Sequence, residues 1–144
     1  MPDCILTTKT GKIIQYKFKK IMKYNYKINS ENKTIVIITT GDLETKEVAA
    51  MGLIILLKAN ELKYKIIFDY RLSRNKISIT EAYYWFSAHY DSINSKLKFI
   101  PSAYIAKKED RDFFRFFETT SNNKSIPIKM FFDEKPALEW IESY

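Results

Sequence analysis

Apolar and polar positions in the last third of the chain follow two different periods. Residues 103–106 and 126–132 are short apolar runs, which indicate buried strands. Between them, residues 109–121 carry phenylalanines at helical spacing, and residues 134–142 again have the period of a helix. Strand, helix, strand and helix joined by short links predict parallel strands with right-handed crossovers.

The helix predicted over residues 109–121 has an apolar face that needs a partner. Phe113, Phe116, Phe117 and Thr120 share one side of it, and Phe114 widens that side. Apolar stripes at helical spacing usually face a core. We therefore expect these phenylalanines to pack in the interior.

The first half of the chain predicts a hairpin followed by further α/β units. Residues 23–28 alternate in polarity and residues 34–40 are β-branched, which predicts an antiparallel pair across a polar turn. Residues 45–61 predict a helix that is apolar on nearly every side, with Thr45 as its N-cap. Such a helix is either enclosed within the monomer or meets a partner along one flank. A strand over residues 65–70 follows.

A capping box marks the start of the next helix. In the segment Ser78-Ile79-Thr80-Glu81 the Ser hydroxyl is placed to meet the third helical N–H, and Glu81 to reach back. We predict a helix from there to about Asn94.

These elements together predict one α/β domain with a mixed sheet. An N-terminal antiparallel hairpin leads into β-α-β-α-β-α units with four helices, near 45–61, 80–94, 109–121 and 134–142. Residues 23–144 form the domain, and residues 1–22 are an N-terminal arm or edge strand.

A resemblance to a known family rests on residues 114–141, FRFFETTSNNKSIPIKMFFDEKPALEWI. Phe-Phe-Glu-Thr at 116–119, Phe-x-Asp at 131–133 and the later Trp140-Ile141 resemble the C-terminal half of bacterial SpoIIAA-like (STAS/SEC14-like) domains. Lys124-Ser125 stands where the family usually has a Gly. The resemblance implies a SpoIIAA-like fold but no activity, because most members are small proteins without an assigned one.

Composition narrows the function classes only partly. The chain has 144 residues and one cysteine, which excludes an internal disulfide framework. It begins without a signal-peptide pattern, and its longest uncharged apolar run, residues 48–57, is too short to span a bilayer. The cytoplasm is the expected compartment.

The formal charge of +7 is concentrated near the N-terminus. Lysines interleaved with aromatic residues are typical of platforms for single-stranded nucleic acid. They are also typical of an edge hairpin whose lysines prevent strand-to-strand aggregation, and we favour that interpretation because the arm has no arginine. The lysines are Lys9, Lys12, Lys17, Lys19, Lys20, Lys23, Lys27 and Lys33, and the aromatic residues are Tyr16, Phe18, Tyr24 and Tyr26.

Ser78 and Thr80 are candidate phosphorylation sites. The resemblance implies this, since related STAS anti-sigma antagonists carry a regulatory phosphorylated Ser or Thr near this point. A phosphate at a helix N-terminus would be favourably placed. Their Asp-Ser-Ser/Thr-Gly signature is missing, and capping alone explains Ser78.

Aromatic side chains on two helices are candidates for a contact surface or an apolar pocket. His89 is the only histidine, so it cannot build a multi-histidine metal site, and we expect no metal or other cofactor. Asp69, Glu118 and Asp133 have no spacing that links them as catalytic carboxylates, although strand ends could bring them together. The aromatic candidates, with the histidine among them, are Tyr83, Tyr84, Trp85, His89, Phe113, Phe114 and Phe117.

The sequence therefore predicts a non-enzymatic cytoplasmic interaction or regulatory module, with a homodimer and a protein partner expected. One alternative is a carrier of an apolar small molecule, bound between helices 80–94 and 109–121. Another is weak nucleic-acid binding through the Lys-rich arm.

Overall fold

A computed structural model describes the backbone of residues 4–7 and 13–16 and all of residues 20–144. Strands and helices alternate through most of this length. The strands are β1 (Cys4–Thr7), β2 (Ile13–Tyr16), β3 (Lys23–Asn29), β4 (Thr34–Leu43), β5 (Lys65–Asp69), β6 (Ser73–Asn75), β7 (Ser102–Ile105) and β8 (Ile128–Phe131). The helices are α1 (Thr45–Leu62), α2 (Ile79–His89), α3 (Ser95–Lys98), α4 (Arg111–Asn122) and α5 (Glu134–Glu142).

The main sheet has the strand order β3-β4-β5-β7-β8. β3 and β4 are antiparallel, and every other pair along this path is parallel. The mixed sheet with an N-terminal hairpin and parallel crossovers is thus confirmed. β6 pairs with the far half of β4, in parallel, beyond the end of β5. β1 and β2 pair with each other in a separate two-stranded sheet.

Helices cover the two faces of the main sheet unequally. One face, with Ile35, Ile37 and Phe68, packs in a single apolar cluster with residues of α1, α2 and α4. The opposite face is covered by α5, whose Ala137 and Ile141 are fully buried against its apolar side chains. The larger of the two apolar clusters therefore lies between the sheet and the layer formed by α1, α2 and α4.

The helix predicted over residues 80–94 ends earlier, at His89. A 3₁₀ turn follows over Tyr90–Ser92, and Asn94 then caps a new short helix by accepting a hydrogen bond from the Lys96 N–H (2.9 Å). The described residues therefore have five helices and not four. The cause is local, because an Asn side chain that bonds its own backbone competes with the continuation of a helix.

The helix α1 is not enclosed within the monomer, because one of its flanks is exposed. Met51, Ile55 and Ala59 face the core, but Leu53, Ile54 and Leu57 are each exposed by slightly more than half. Its predicted cap is also wrong. Glu44 occupies the N-cap position, and the Thr45 hydroxyl donates to the Glu81 carboxylate at 3.1 Å.

The Phe-rich helix α4 is rotated slightly from the predicted orientation. Phe114, expected at the margin of the apolar face, is its most buried phenylalanine at 3% exposure. Phe113, Phe116 and Phe117 pack around the core as partly buried side chains. A two-residue shift of the helix start, to Arg111 after a 3₁₀ turn, accompanies this rotation.

Candidate functional site

An apolar cavity of about 650 Å³ lies between the sheet and the helical layer above it. Its floor is the sheet, and its walls are α1, α2, α4 and the segment that connects α2 to β7. A dry cavity of about 150 Å³ takes up one benzene molecule, so this space is large enough for a considerably larger ligand. It falls within the usual range for small-molecule sites.

Aromatic rings form the floor and one wall of the cavity. Tyr70, which follows β5, and Tyr104 on β7 form a T-shaped, edge-to-face pair with ring centroids 5.7 Å apart. Phe114 stacks on Tyr70 at 5.3 Å, and Phe117 lies 5.8 Å from Tyr104. Parallel pairing of β5 with β7 places these two tyrosines beside each other, since Phe68 is in register with Tyr104.

The two tyrosine hydroxyls have no partner among the residues that the structure describes. Within the part of the chain that the structure describes, no hydrogen bond ends on the hydroxyl of Tyr70 or Tyr104, although Tyr70 is only 4% exposed. Burial raises the pKa of both phenols well above the ordinary value, so both are neutral. The nearby Ser102 hydroxyl is satisfied, because it donates to the Ile100 carbonyl at 3.1 Å.

Small residues on α1 make room for the cavity. Gly52 faces it, and a Cβ atom added to Gly52 would have no neighbour within 4 Å. Ala49 on α1 and Ala82 on α2 line the same space. A larger side chain at any of these positions would extend into the cavity.

Exposed and polar residues mark the rim. His89 and Asn94 line the cavity and are exposed, as is Leu53 on α1. The His89 ring stacks on Trp85 at 4.9 Å, and its Nδ1 lies 2.8 Å from the Trp85 carbonyl oxygen. Lys98 also reaches the rim, with its ammonium 4.3 Å from the centre of the Tyr90 ring. The cavity therefore has a polar entrance and an apolar interior.

Comparison with known proteins identifies the architecture. No protein-family model matches the sequence, and no curated protein matches it. Among solved structures, an anti-sigma factor antagonist from Mycobacterium paratuberculosis superposes with a TM-score of 0.52 at 10% identity, covering 84% of this chain and 94% of that one. An uncharacterized protein of the DUF3478 family with a SpoIIAA-like fold, from Shewanella loihica PV-4, gives 0.51 at 15% identity, covering 87% and 97%. This chain has a SpoIIAA-like fold. At these identities the likeness concerns the fold alone.

The SpoIIAA-like fold brings five of the seven aromatic candidates to one place. Trp85, His89, Phe113, Phe114 and Phe117 all line the cavity. Tyr83 and Tyr84 do not. They are exposed by 54% and 67%, on the outer side of α2.

Ser78 and Thr80 lie away from the cavity, at the exposed start of α2. The Ser78 hydroxyl accepts a hydrogen bond from the Glu81 N–H at 3.0 Å, as the capping box predicts. The Glu81 side chain does not complete the box, because it accepts from Thr45.

Two of the three candidate carboxylates, Asp69 and Asp133, act on the same guanidinium, that of Arg71, whereas Glu118 has a separate contact. Asp69 binds Arg71 through both oxygens, at 3.0 and 2.8 Å. The pKa of the Arg71 guanidinium is raised mainly by its hydrogen bonds to Asp69. The negative charges of Asp69, Glu134 and Asp133 raise it further. Glu118 accepts from the Met130 N–H at 3.0 Å. The residues described contain no group of three His, Cys, Asp or Glu placed to bind a metal.

The sequence did not indicate which residues form the floor of the cavity or which small residue leaves room for it. Tyr70 and Tyr104 were assigned to strands without a role, and Gly52 to an apolar helix. The available signal was alternation: Phe68, Tyr70 and Tyr104 occupy positions of parallel strands that face the same side. None of the helices in the described ranges is long and apolar enough to cross a membrane.

Proposed function

We propose that this protein is a non-enzymatic cytoplasmic module of SpoIIAA-like type that binds an apolar small molecule in the cavity between α2 and α4. The observation that carries this proposal is the cavity itself, with its largely apolar lining. A regulatory role, in which the ligand changes binding to a protein partner, is supported by the similarity in fold to an anti-sigma factor antagonist. Residues 23–144 are the proposed domain and residues 1–22 its arm.

The energetics favour a hydrocarbon occupant. Burying each methylene contributes about 0.8 kcal/mol, so a chain of eight contributes roughly 6 kcal/mol before the cost of association. Aromatic rings such as those of Tyr104 and Phe114 add contact area without losing many rotamers. The exposed entrance at His89 and Asn94 offers a way in.

Filling the cavity tests the proposal. Gly52→Phe introduces a ring into the empty space, while Ala88→Phe adds the same ring on the exposed side of α2, away from the cavity lining. Nile red, an apolar fluorescent dye, serves as the probe, and its fluorescence is titrated with each protein. We expect saturable binding to the unaltered protein and to Ala88→Phe, and at least a tenfold weaker affinity for Gly52→Phe.

Two results would contradict the proposal. One is the absence of saturable binding of Nile red and of pentylbenzene to the unaltered protein. The other is equal dye affinity in Gly52→Phe and Ala88→Phe when circular dichroism shows both to be folded. Reproducible turnover of a metabolite, abolished by a single substitution, would contradict the non-enzymatic assignment.

A second proposal concerns the exposed flank of α1. Ile54 and Leu57, together with Tyr26 on the edge strand β3, border a shallow groove of about 280 Å³. These side chains are exposed by 55%, 52% and 47%. Contiguous apolar surface of this kind marks interaction sites, and we propose that a second copy of the chain covers it.

Sedimentation velocity tests the homodimer. The double variant Ile54→Lys/Leu57→Lys should remain a monomer at concentrations where the unaltered protein dimerises. Leu72→Lys changes an even more exposed leucine outside this flank, and this variant should dimerise normally. A monomeric unaltered protein at high micromolar concentration would rule out the homodimer.

Two other interpretations remain proposals of lower rank. Phosphorylation of Ser78 or Thr80 is sterically open because both are exposed, but capping accounts for Ser78. Nucleic-acid binding depends on an arm of which Lys9, Lys12, Lys17 and Lys19 lie outside the described residues. It would show a steep dependence of affinity on salt.

A further inference from the structure

The floor of the cavity holds two polar groups that the fold does not use. The hydroxyls of Tyr70 and Tyr104 lie on adjacent strands, and their rings are 5.7 Å apart. Neither forms a hydrogen bond with any residue that the structure describes. Among the described side chains, the one polar atom enclosed without a hydrogen-bond partner is Ser121 Oγ, so the two unpaired phenol oxygens, whose residues line the cavity, remain accessible to a molecule inside it.

We infer that the bound molecule is uncharged and largely hydrocarbon and carries one oxygen acceptor, which accepts hydrogen bonds from the hydroxyls of Tyr70 and Tyr104. This inference rests on the proposed function and specifies its ligand class. A carbonyl oxygen fits best, because its two lone pairs can receive one hydrogen from each phenol. Ketones, aldehydes and esters with an alkyl or aryl body belong to this class.

The surroundings of the floor exclude a charged head group there. Phe68, Phe114 and Phe117 enclose the two tyrosines, and a carboxylate placed among them would lose its hydration without gaining a cation. Among the described residues that line the cavity, Lys98 is the one with a permanent positive charge, and it lies at the rim over the Tyr90 ring.

The lining also limits the ligand to one polar end. The Ser102 hydroxyl is already bonded to the Ile100 carbonyl. Most of the remaining wall consists of apolar side chains from α1, α2 and α4. A second polar group deep in the ligand would remain unpaired, at a cost in affinity.

A matched pair of probes separates the hydrogen bond from hydrophobic burial. Valerophenone and pentylbenzene have the same carbon skeleton and differ by one carbonyl oxygen. Isothermal titration calorimetry measures both against the unaltered protein, Tyr70→Phe, Tyr104→Phe and Tyr90→Phe. Tyr90 is the control, because its hydroxyl contacts the Lys124 carbonyl outside the cavity lining.

We expect Tyr70→Phe and Tyr104→Phe each to weaken valerophenone binding by about two- to tenfold, the usual range for one neutral hydrogen bond. Pentylbenzene affinity should stay the same or increase, since each variant removes an unpaired hydroxyl from the floor. Tyr90→Phe should change neither affinity.

Three outcomes would overturn the inference. Valerophenone affinity unchanged in both floor variants would show that water alone satisfies the hydroxyls. Equal weakening of both probes would show a loss of packing. The third outcome uses the carboxylate 5-phenylpentanoate, which has the same carbon skeleton. Tighter binding of this anion than of valerophenone, with that preference lost in Lys98→Met, would place the polar end of the ligand at the rim. In each case retained binding of pentylbenzene leaves the proposed function standing, whereas failure of both neutral probes to bind the unaltered protein removes both proposals.

Discussion

Gly41 and Gly52 occupy opposite environments, and the same substitution should have opposite effects at the two positions. At Gly41 φ is +83°, and an added Cβ would lie 2.3 Å from the Ile21 carbonyl oxygen. Gly41→Ala should therefore lower the free energy of unfolding by about 2 kcal/mol or more, since both strain and a clash oppose it. Gly52→Ala, in an open helical position, should raise it by about 0.4–1 kcal/mol.

Urea unfolding of the two variants measures this difference. Destabilisation by Gly52→Ala would mean that the space beside α1 is smaller than the structure shows. A neutral Gly41→Ala would mean that the contact between Ile21 and the end of β4 is loose.

Asp42 connects stability to pH. Its carboxylate is buried and accepts two hydrogen bonds from Arg74, at 3.0 and 3.2 Å. The Arg74 hydrogen bond holds the pKa of Asp42 below its ordinary value of 3.8, against the opposing effect of burial. A carboxyl whose pKa is lowered by folding stabilises the fold above its unfolded pKa, and this contribution disappears as pH falls through the folded pKa.

Asp42→Asn should therefore lower the free energy of unfolding at pH 7 by about 1–2 kcal/mol, a modest value because Arg74 is more than half exposed. The difference between variant and unaltered protein should shrink below about pH 4, where the unaltered carboxyl takes up its proton. Chemical unfolding between pH 3 and pH 7 measures it. If the difference in free energy of unfolding does not depend on pH, the effect comes from the changed hydrogen-bonding geometry of the side chain and not from its charge.

At the level of single residues, the sequence predicted the Ser78 cap but misplaced the cap of α1, and it did not predict the contacts of the interior. Ser78 accepts from the Glu81 N–H as predicted, because an N-cap depends on four consecutive residues. Tyr70 and Tyr104 are 34 residues apart, and only the pairing of β5 with β7 makes them neighbours. Nothing local in the sequence indicates that both hydroxyls stay unpaired.

The N-terminus of α2 gives a prediction at the scale of an element. Ser78→Ala removes the acceptor for the Glu81 N–H and should lower the free energy of unfolding by about 1 kcal/mol. Thr80→Ala, two residues later and exposed, should change it by less than about 0.5 kcal/mol. Thermal unfolding of both variants compares them, and equal effects would show that the cap contributes little.

The elements were predictable where the pattern was strong and local. Strands β3, β4, β5, β7 and β8 and the crossover helices follow from apolar periodicity and short links. The break after His89 was missed because the apolar pattern continues through Tyr90 and Ile93, while a single cap at Asn94 starts a new helix. The exposed flank of α1 is one of the two outcomes that its apolar pattern allowed, and the sequence could not choose between them because composition shows how much apolar surface a helix has, not which side the domain covers.

For the whole molecule, binding in the cavity should raise stability by mass action. At a valerophenone concentration 100 times its dissociation constant, the gain is about 2.7 kcal/mol if the ligand binds only the folded state. Differential scanning calorimetry should show a rise in Tm for the unaltered protein and for Ala88→Phe, and for Gly52→Phe a rise of about half that size or less, as a tenfold weaker affinity requires. An equal rise in Gly52→Phe would place the ligand elsewhere on the molecule.

The architecture of the whole chain could be predicted from sequence, but the cavity could not. Periodicity and the resemblance over residues 114–141 were sufficient for a SpoIIAA-like sheet with helices on both faces. The prediction that Phe113, Phe114 and Phe117 lie in the interior agrees with the structure. Whether helices close completely over such rings depends on the summed volume of many side chains, including small ones such as Ala49 and Gly52, and no local pattern encodes that sum.

Strand β4 has paired neighbours along both edges, with β3 on one side and β5 followed by β6 on the other. Its amides can exchange with solvent deuterium only when the sheet itself opens, so they should be the slowest in the molecule to exchange. The helices over the cavity form few backbone hydrogen bonds with the sheet, so they can move away from it while its strands stay paired. We expect the ligand to enter and leave when α2 opens locally, while the hydrogen bonds between β4 and its neighbouring strands keep the sheet intact.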